Sequence, residues 1–205
     1  MRLIWVAICL VITLLGGQAI AAEQQQKAEV AEDKAQVLEQ KAATGSEAPV
    51  PTAGAITKSE VQAVDPAGAS ALDDAITCLA RSIYWEAKGG RPGDMEGVAS
   101  VVMNRVGHEG FPDTVCRVVK QGVETRTCQF SWWCDGRSDQ VVEDDQYTIA
   151  KEIARKALNR QLTDRTRGAL YFHDRNVRPR WARKYIRTSE TGKFLFYKPR
   201  AGTAR

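Results

Sequence analysis

The sequence predicts an α+β domain, mostly helical, with a small antiparallel sheet near the C-terminus. Two observations carry this. Between residues 74 and 160, apolar residues recur at spacings of three and four, the period of helices that bury one face. Further on, Ala169-Leu170-Tyr171-Phe172-His173 and Phe194-Leu195-Phe196-Tyr197 read as short aromatic-rich strands, antiparallel across a loop that holds Pro179 and Trp181. A helical body with a small sheet at its end is an α+β arrangement.

The 205-residue chain divides unevenly. Residues 1–22 carry Arg2, an apolar run from Leu3 to Leu15 and the ending Ala19-Ile20-Ala21-Ala22. A basic start, an apolar middle and an Ala-x-Ala end form a secretory signal peptide, with cleavage expected after Ala21. Cys9 sits mid-run, which argues against lipid attachment there. An uncleaved anchor is the alternative, because Leu3–Ala22 approaches spanning length. Either way the protein is expected to be exported to the periplasm or cell envelope. A membrane contact follows only if residues 3–22 stay attached.

Residues 23–73 change character. Glu23–Lys41 is rich in Ala, Gln, Glu and Lys and could form a fraying helix; Thr44–Ser70 has no aromatic residue and little periodicity. Such a segment buries too little apolar surface to offset its ordering entropy. The expectation is a disordered tether over 23–73, a folded domain over 74–200 and a short tail over 201–205.

Within that domain, Asp74–Lys88 is the first helix, capped by Asp73 or Asp74. Arg91-Pro92-Gly93 reads as a turn. The second helix runs from about Asp94 to Val106, with Met95, Val98, Ala99, Val102 and Val106 on one face, and Gly107 ends it. A short third helix follows Phe111-Pro112-Asp113 through Lys120. Residues 121–142 read as irregular. Asp144–Arg160 is the fourth helix, with Tyr147, Ala150, Ile153, Ala154, Ala157 and Leu158 inward.

Four cysteines remain after the export segment: Cys78, Cys116, Cys128 and Cys134. An even count in an exported protein suggests two disulfides. Of the three possible pairings, Cys78–Cys116 with Cys128–Cys134 is favoured, the second closing a small loop around Trp132-Trp133. Zinc competes poorly, since there is no Cys-x-x-Cys and only His108 and His173 could add ligands. No metal or other cofactor is expected. Charge is polarised: residues 23–74 hold 4 Lys/Arg and 10 Asp/Glu, whereas residues 75–205 hold 24 and 15. A basic exported domain can meet an anionic polymer or membrane surface. Nucleic acid is not an expected partner, because the export signal leads away from it.

One carboxylate is out of place. Ile76, Leu79, Ala80, Ile83 and Ala87 make the apolar stripe of the first helix. Glu86 lies seven residues after Leu79, within about 20° of the same direction at 100° per residue. Flanked by Tyr84 and Trp85, it would be partly desolvated, which favours the protonated form. Gly89-Gly90 ends the helix, so Glu86 sits in the last turn, where the dipole also disfavours an anion. A general acid needs such a raised pKa. A Glu at the stripe's edge that reaches water or pairs with an Arg is the structural alternative.

With these residues in view, the chain resembles the SleB/CwlJ family of cell wall hydrolases, from about Cys78 to Tyr197. Ala80-Arg81-Ser82-Ile83-Tyr84-Trp85-Glu86-Ala87-Lys88-Gly89 is similar to the family's catalytic helix, and Gly97–Val106 to its second helix. Phe111-Pro112-Asp113-Thr114-Val115, Cys128-Gln129-Phe130-Ser131, Gly168–His173, Trp181 and Phe196-Tyr197 follow in order. The resemblance implies a lysozyme-like fold acting on peptidoglycan glycan strands, with Glu86 as catalytic acid. One position departs: Phe194 aligns where the family often has histidine.

Hydrolytic glycosidases usually add a second carboxylate at a set separation. Asp94, Glu96, Asp135 and Asp174 are the candidates here, and each reads more simply as solvated surface. A lone glutamate suits a lytic transglycosylase, in which the C6 hydroxyl of N-acetylmuramic acid attacks C1 and leaves a 1,6-anhydro end. The resemblance implies this chemistry; muramidase hydrolysis and peptidoglycan binding without cleavage are the alternatives. Gln129, Ser131, Tyr171, His173 and Trp181 are the candidate sugar contacts, because sugar rings stack on aromatic faces and hydrogen-bond to amides and hydroxyls. Protein partners are not indicated.

Overall fold

The structure, a computed structural model, describes residues 2–46, 48–122 and 128–200, with side chains from Gln18 onward. The expected tail, residues 123–127 of the irregular stretch and the side chains of most of the export segment lie outside the described residues.

Helix α3 (Ala75–Glu86) runs through the centre and touches α1 (Arg2–Ala43), α4 (Pro92–Arg105), α5 (Val115–Val119) and α6 (Asp144–Leu158). Asp74 caps α3 by accepting a hydrogen bond from Thr77 N at 2.8 Å. Its expected stripe is buried, but so is every residue from Ala75 to Tyr84, including Thr77, Arg81 and Ser82. A helix buried all round needs cover on its polar side too. That cover comes from the segment expected to be a tether.

The tether expectation is therefore corrected. Helix α1 lays Ala31, Ala35 and Leu38 into the core, and Ile56, Val61 and Val64 follow from the segment around α2 (Lys58–Ala63). Small side chains at helical spacing let α1 approach closely, which composition alone does not reveal. Glu39 of α1 accepts from Val115 N at 2.9 Å at the start of α5, and Lys34 pairs with Glu60 at 2.8 Å. Asn159 grips the backbone of Ile56 in both directions, at 2.9 and 2.8 Å. Asp65 is the strongest tie. It accepts from Arg81 Nε at 2.9 Å, from the Tyr147 hydroxyl at 2.6 Å and from the backbone of Ala69 and Ser70 at 2.8 Å each. Burial alone would raise the Asp65 pKa, but these donors together hold it below the usual carboxylate range. Among the described residues, no helix is long and apolar enough to cross a membrane.

Helix α4 starts two residues earlier than expected, because Pro92 takes the first helical position, where its missing N–H is harmless. Helix α5 is shorter than expected and is capped by Thr114. Both disulfides pair as expected: Cys78–Cys116 and Cys128–Cys134, with Cα atoms 5.2 and 6.5 Å apart. The first staples α3 to α5. The second encloses a 3₁₀ turn at Ser131–Trp133, whose Trp132 is buried in the domain.

The sheet has three antiparallel strands, not two, in the order β1 (Tyr171–Asp174), β3 (Phe194–Lys198), β2 (Ile186–Glu190). Strand β2 escaped the sequence pattern because Ile186-Arg187-Thr188-Ser189-Glu190 is an edge strand with a single large apolar residue. In β1 and β3, alternation sorts the rings by face. Phe172, Phe194 and Phe196 turn one way, with Phe172 and Phe194 4.9 Å apart, and Tyr171, His173 and Tyr197 turn the other. Phe196 packs directly on Gly97 of α4, where a Cβ would run into the ring. Gly97→Ala should therefore lower stability by about 1–3 kcal/mol through overpacking. Thermal melting checks this, and an unchanged midpoint would mean that the sheet shifts off α4 freely.

Candidate functional site

Glu86 ends α3, and Ala87 and Gly89 (φ +72°) turn the chain away. Glu86 is half-buried at the end of the helix. Burial pushes its pKa up to about 7, and the nearby charges of Lys193 and Arg105 pull the other way. Among the described residues, no carboxylate is one of the charges that shift it. Its neighbours on the helix are anchored elsewhere. The Tyr84 hydroxyl donates to Glu143 at 2.9 Å, and Trp85 Nε1 donates to the Asp139 carbonyl at 3.2 Å. Lys88 lies over both rings and 3.5 Å from Glu143.

Two residues that sequence reasoning missed frame Glu86. Arg105 is buried at the end of α4, donates to the Leu170 carbonyl at 2.7 Å and lies among the rings of Phe111, Phe130 and Tyr171. It thereby joins the Gln129–Ser131 loop and β1 to the charge environment of Glu86. The Asn104-Arg105 pair in the second-helix motif was the available signal. Lys193 comes from the β2–β3 turn and donates to the Glu86 carbonyl at 2.8 Å. Nothing local in the sequence marked it.

The four weighed carboxylates are now placed. Asp94 is not solvated surface, as expected, but buried, accepting from Arg91 N at 2.9 Å and Lys193 N at 2.7 Å. Burial alone would raise its pKa; hydrogen bonds from Thr191, Lys193 and Arg91 outweigh that and hold it low. Asp135 and Asp174 each cap a local turn, accepting from Arg137 N at 2.9 Å and Asn176 N at 2.8 Å. Glu96 borders a cavity of about 180 Å³ together with Gly93, Ser100, Thr163 and Ser189.

Of the candidate sugar contacts, three come together. Tyr171, His173 and Trp181 belong to one ring cluster with Tyr185 and Tyr197: Trp181 is 5.7 Å from Tyr171 and 5.5 Å from His173, and Tyr171 is 4.8 Å from Tyr185. Both His173 nitrogens are engaged, Nδ1 with the Asp174 carbonyl at 2.8 Å and Nε2 with the Tyr197 hydroxyl at 3.1 Å. His173 thus contributes a ring face and no free nitrogen. Gln129 and Ser131 are exposed on the loop beside buried Phe130, which lies 6.3 Å from Phe172. Phe194, where histidine was a family expectation, is buried against Phe172 with Lys193 above its ring at 5.1 Å. A larger cavity, about 560 Å³, lies elsewhere, lined by Ala42, Ser46, Met103, Asn104, Arg160 and Asp164 among others. Among the described residues, no group of three or more His, Cys, Asp or Glu side chains is placed to hold a metal.

Residues 91–197, just over half of the chain, match the family described as Cell Wall Hydrolase; Glu86 lies just before the matched span. Two solved structures are similar. The catalytic domain of the Bacillus cereus SleB protein is 27% identical with a TM-score of 0.49, over 60% of this chain and 88% of that one. The catalytic domain of a germination-specific lytic transglycosylase, SleB, from Bacillus anthracis is 28% identical with a TM-score of 0.49, over 64% of this chain and 98% of that one. No curated protein matches.

Proposed function

Because the chain belongs to the cell wall hydrolase family, whose substrate is peptidoglycan, we propose that it cleaves the glycan strand as a lytic transglycosylase with Glu86 as its single acid/base. The observation that carries this is the Glu86 carboxyl: half-buried, raised to about 7, with no carboxylate among the described charges that shift it. A group at that pKa can give a proton and take one back near neutral pH. Glu86 protonates the glycosidic oxygen between N-acetylmuramic acid and N-acetylglucosamine as positive charge develops on the sugar ring. The resulting carboxylate then takes the proton of the muramic C6 hydroxyl as that oxygen closes on C1. The 1,6-anhydro product needs no water and no second carboxylate.

The half-exposed rings of Tyr171, Trp181 and His173 form the stacking shelf for sugar rings. Gln129 and Ser131 supply exposed hydrogen-bonding groups beside it. Residues 1–22 direct export, which a reporter fusion checks. The main experiment incubates the purified full chain with peptidoglycan sacculi and analyses soluble fragments by mass spectrometry. Anhydro ends are the expected result. Reducing ends would replace transglycosylation with muramidase hydrolysis, and binding without any product would sink the enzymatic reading.

A further inference from the structure

The geometry points to Lys193, held in place by Asp94, as the positioning residue for Glu86. A helix leaves its last four carbonyls without partners inside the helix. Lys193 Nζ takes up the one that belongs to Glu86 itself, at 2.8 Å, and reaches the Lys88 carbonyl at 3.4 Å. A cation at this end also offsets the negative pole of the α3 dipole. Lys193 cannot wander, because its own backbone N–H donates to Asp94 Oδ1 at 2.7 Å. The other oxygen of Asp94 accepts from Arg91 N at 2.9 Å, at the start of α4. One buried carboxylate therefore ties three pieces together: the start of α4, the β2–β3 turn and, through Lys193, the turn of α3 that carries Glu86. The contact joins residues 107 apart in sequence.

The consequence is chemical as well as mechanical. Burial favours the neutral form of Glu86, and the ammonium of Lys193 opposes it. Arg105 of α4 is the other described charge that bears on Glu86. Lys88 is drawn aside to Glu143, and Asp139 and Glu143 face Arg81, Tyr84 and Trp85 through a backbone carbonyl or a hydroxyl contact. Lys193 thus sets where Glu86 sits and how readily it releases its proton. This role rests on Glu86 being the acid, and its test is built to separate the two claims.

An acid must be protonated, so activity falls as pH rises through the Glu86 pKa. In Lys193→Met the opposing charge is gone, and this basic limb of the pH–rate profile for release from sacculi should move to higher pH. Lys193→Arg should restore the limb. A residue that only stabilises the fold would lower the amplitude and leave the limb in place, and that result overturns the inference. The carboxyl is also followed directly by NMR of glutamate-labelled protein, with Glu86→Gln identifying its resonance. An upward-shifted titration in Lys193→Met supports the positioning role even if wild type releases nothing from sacculi. An unshifted titration removes it whatever the activity.

Discussion

Glu86→Gln should abolish measurable release of soluble fragments from sacculi, with a loss of about a thousandfold, the middle of the range that a positioned acid/base contributes. In the proposed mechanism one group both gives and takes the proton, so no second residue rescues either half of the reaction. The same substitution should leave the protein more stable at alkaline pH. The native carboxyl holds its proton up to about 7, whereas the ordinary value is 4.5. Between those values the folded chain binds more protons than the unfolded chain, so stability falls as pH rises through the window and stays low above it. The difference is at most about 3–4 kcal/mol at 1.36 kcal/mol per pH unit. Gln has no proton to lose. Its melting temperature should therefore exceed wild type at pH 8 and match it near pH 4. Wild-type turnover by the variant would falsify the catalytic assignment, and a stability gain of the same size at both pH values would show that Glu86 is not buried as a neutral acid.

Asp65→Ala should destabilise the protein by about 3–5 kcal/mol, because it strands the buried guanidinium of Arg81 without its counter-ion. The Asp65 and Arg81 side chains are 0% and 3% exposed, so water cannot replace the lost partner. The Tyr147 hydroxyl and the backbone of Ala69 and Ser70 lose their acceptor at the same time. A fall in melting temperature of roughly 6–20 °C follows for a chain of this size. Asp73→Ala, an exposed change nearby, should stay within about 0.5 kcal/mol. The native Asp65 pKa is held low, so the pair stabilises the fold above the ordinary carboxylate range and weakens only as acid protonates Asp65. A chain beginning at residue 74 should fail to melt cooperatively for the same reason, since it also lacks Ala31, Leu38, Ile56 and Val61 of the core. If that shortened chain melted like the full one, the N-terminal segment would be a mere tether.

Much of the domain was legible because its cues are local. The stripe of α3, its Asp74 cap and the inward face of α6 lie within a few turns of chain, where periodicity and capping act. Glu86 stood out for the same reason: its displacement toward an apolar face can be counted from Leu79 and Ile83. Strand β2 was not legible, because an exposed edge strand needs no apolar alternation. Residues 23–73 misled because Ala-rich, small-residue packing looks the same in a linker and in a tightly packed helix.

The sequence by itself indicated the fold class, favoured the observed pair of disulfides and placed one carboxylate, Glu86, toward an apolar helix face, since the helical stripe and the six-residue Cys128–Cys134 loop depend on residue type and short spacing. Only the tertiary structure decided what surrounds that carboxylate. Lys193 of the β2–β3 turn and Arg105 of α4 bear on Glu86 at the end of α3, Asp94 at the other end of α4 holds Lys193, and Asp65 reaches Arg81 from a segment that looked unstructured. Those contacts arise from packing between distant parts of the chain. A buried charge acquires its meaning from the partners that packing brings to it, and no spacing rule records them.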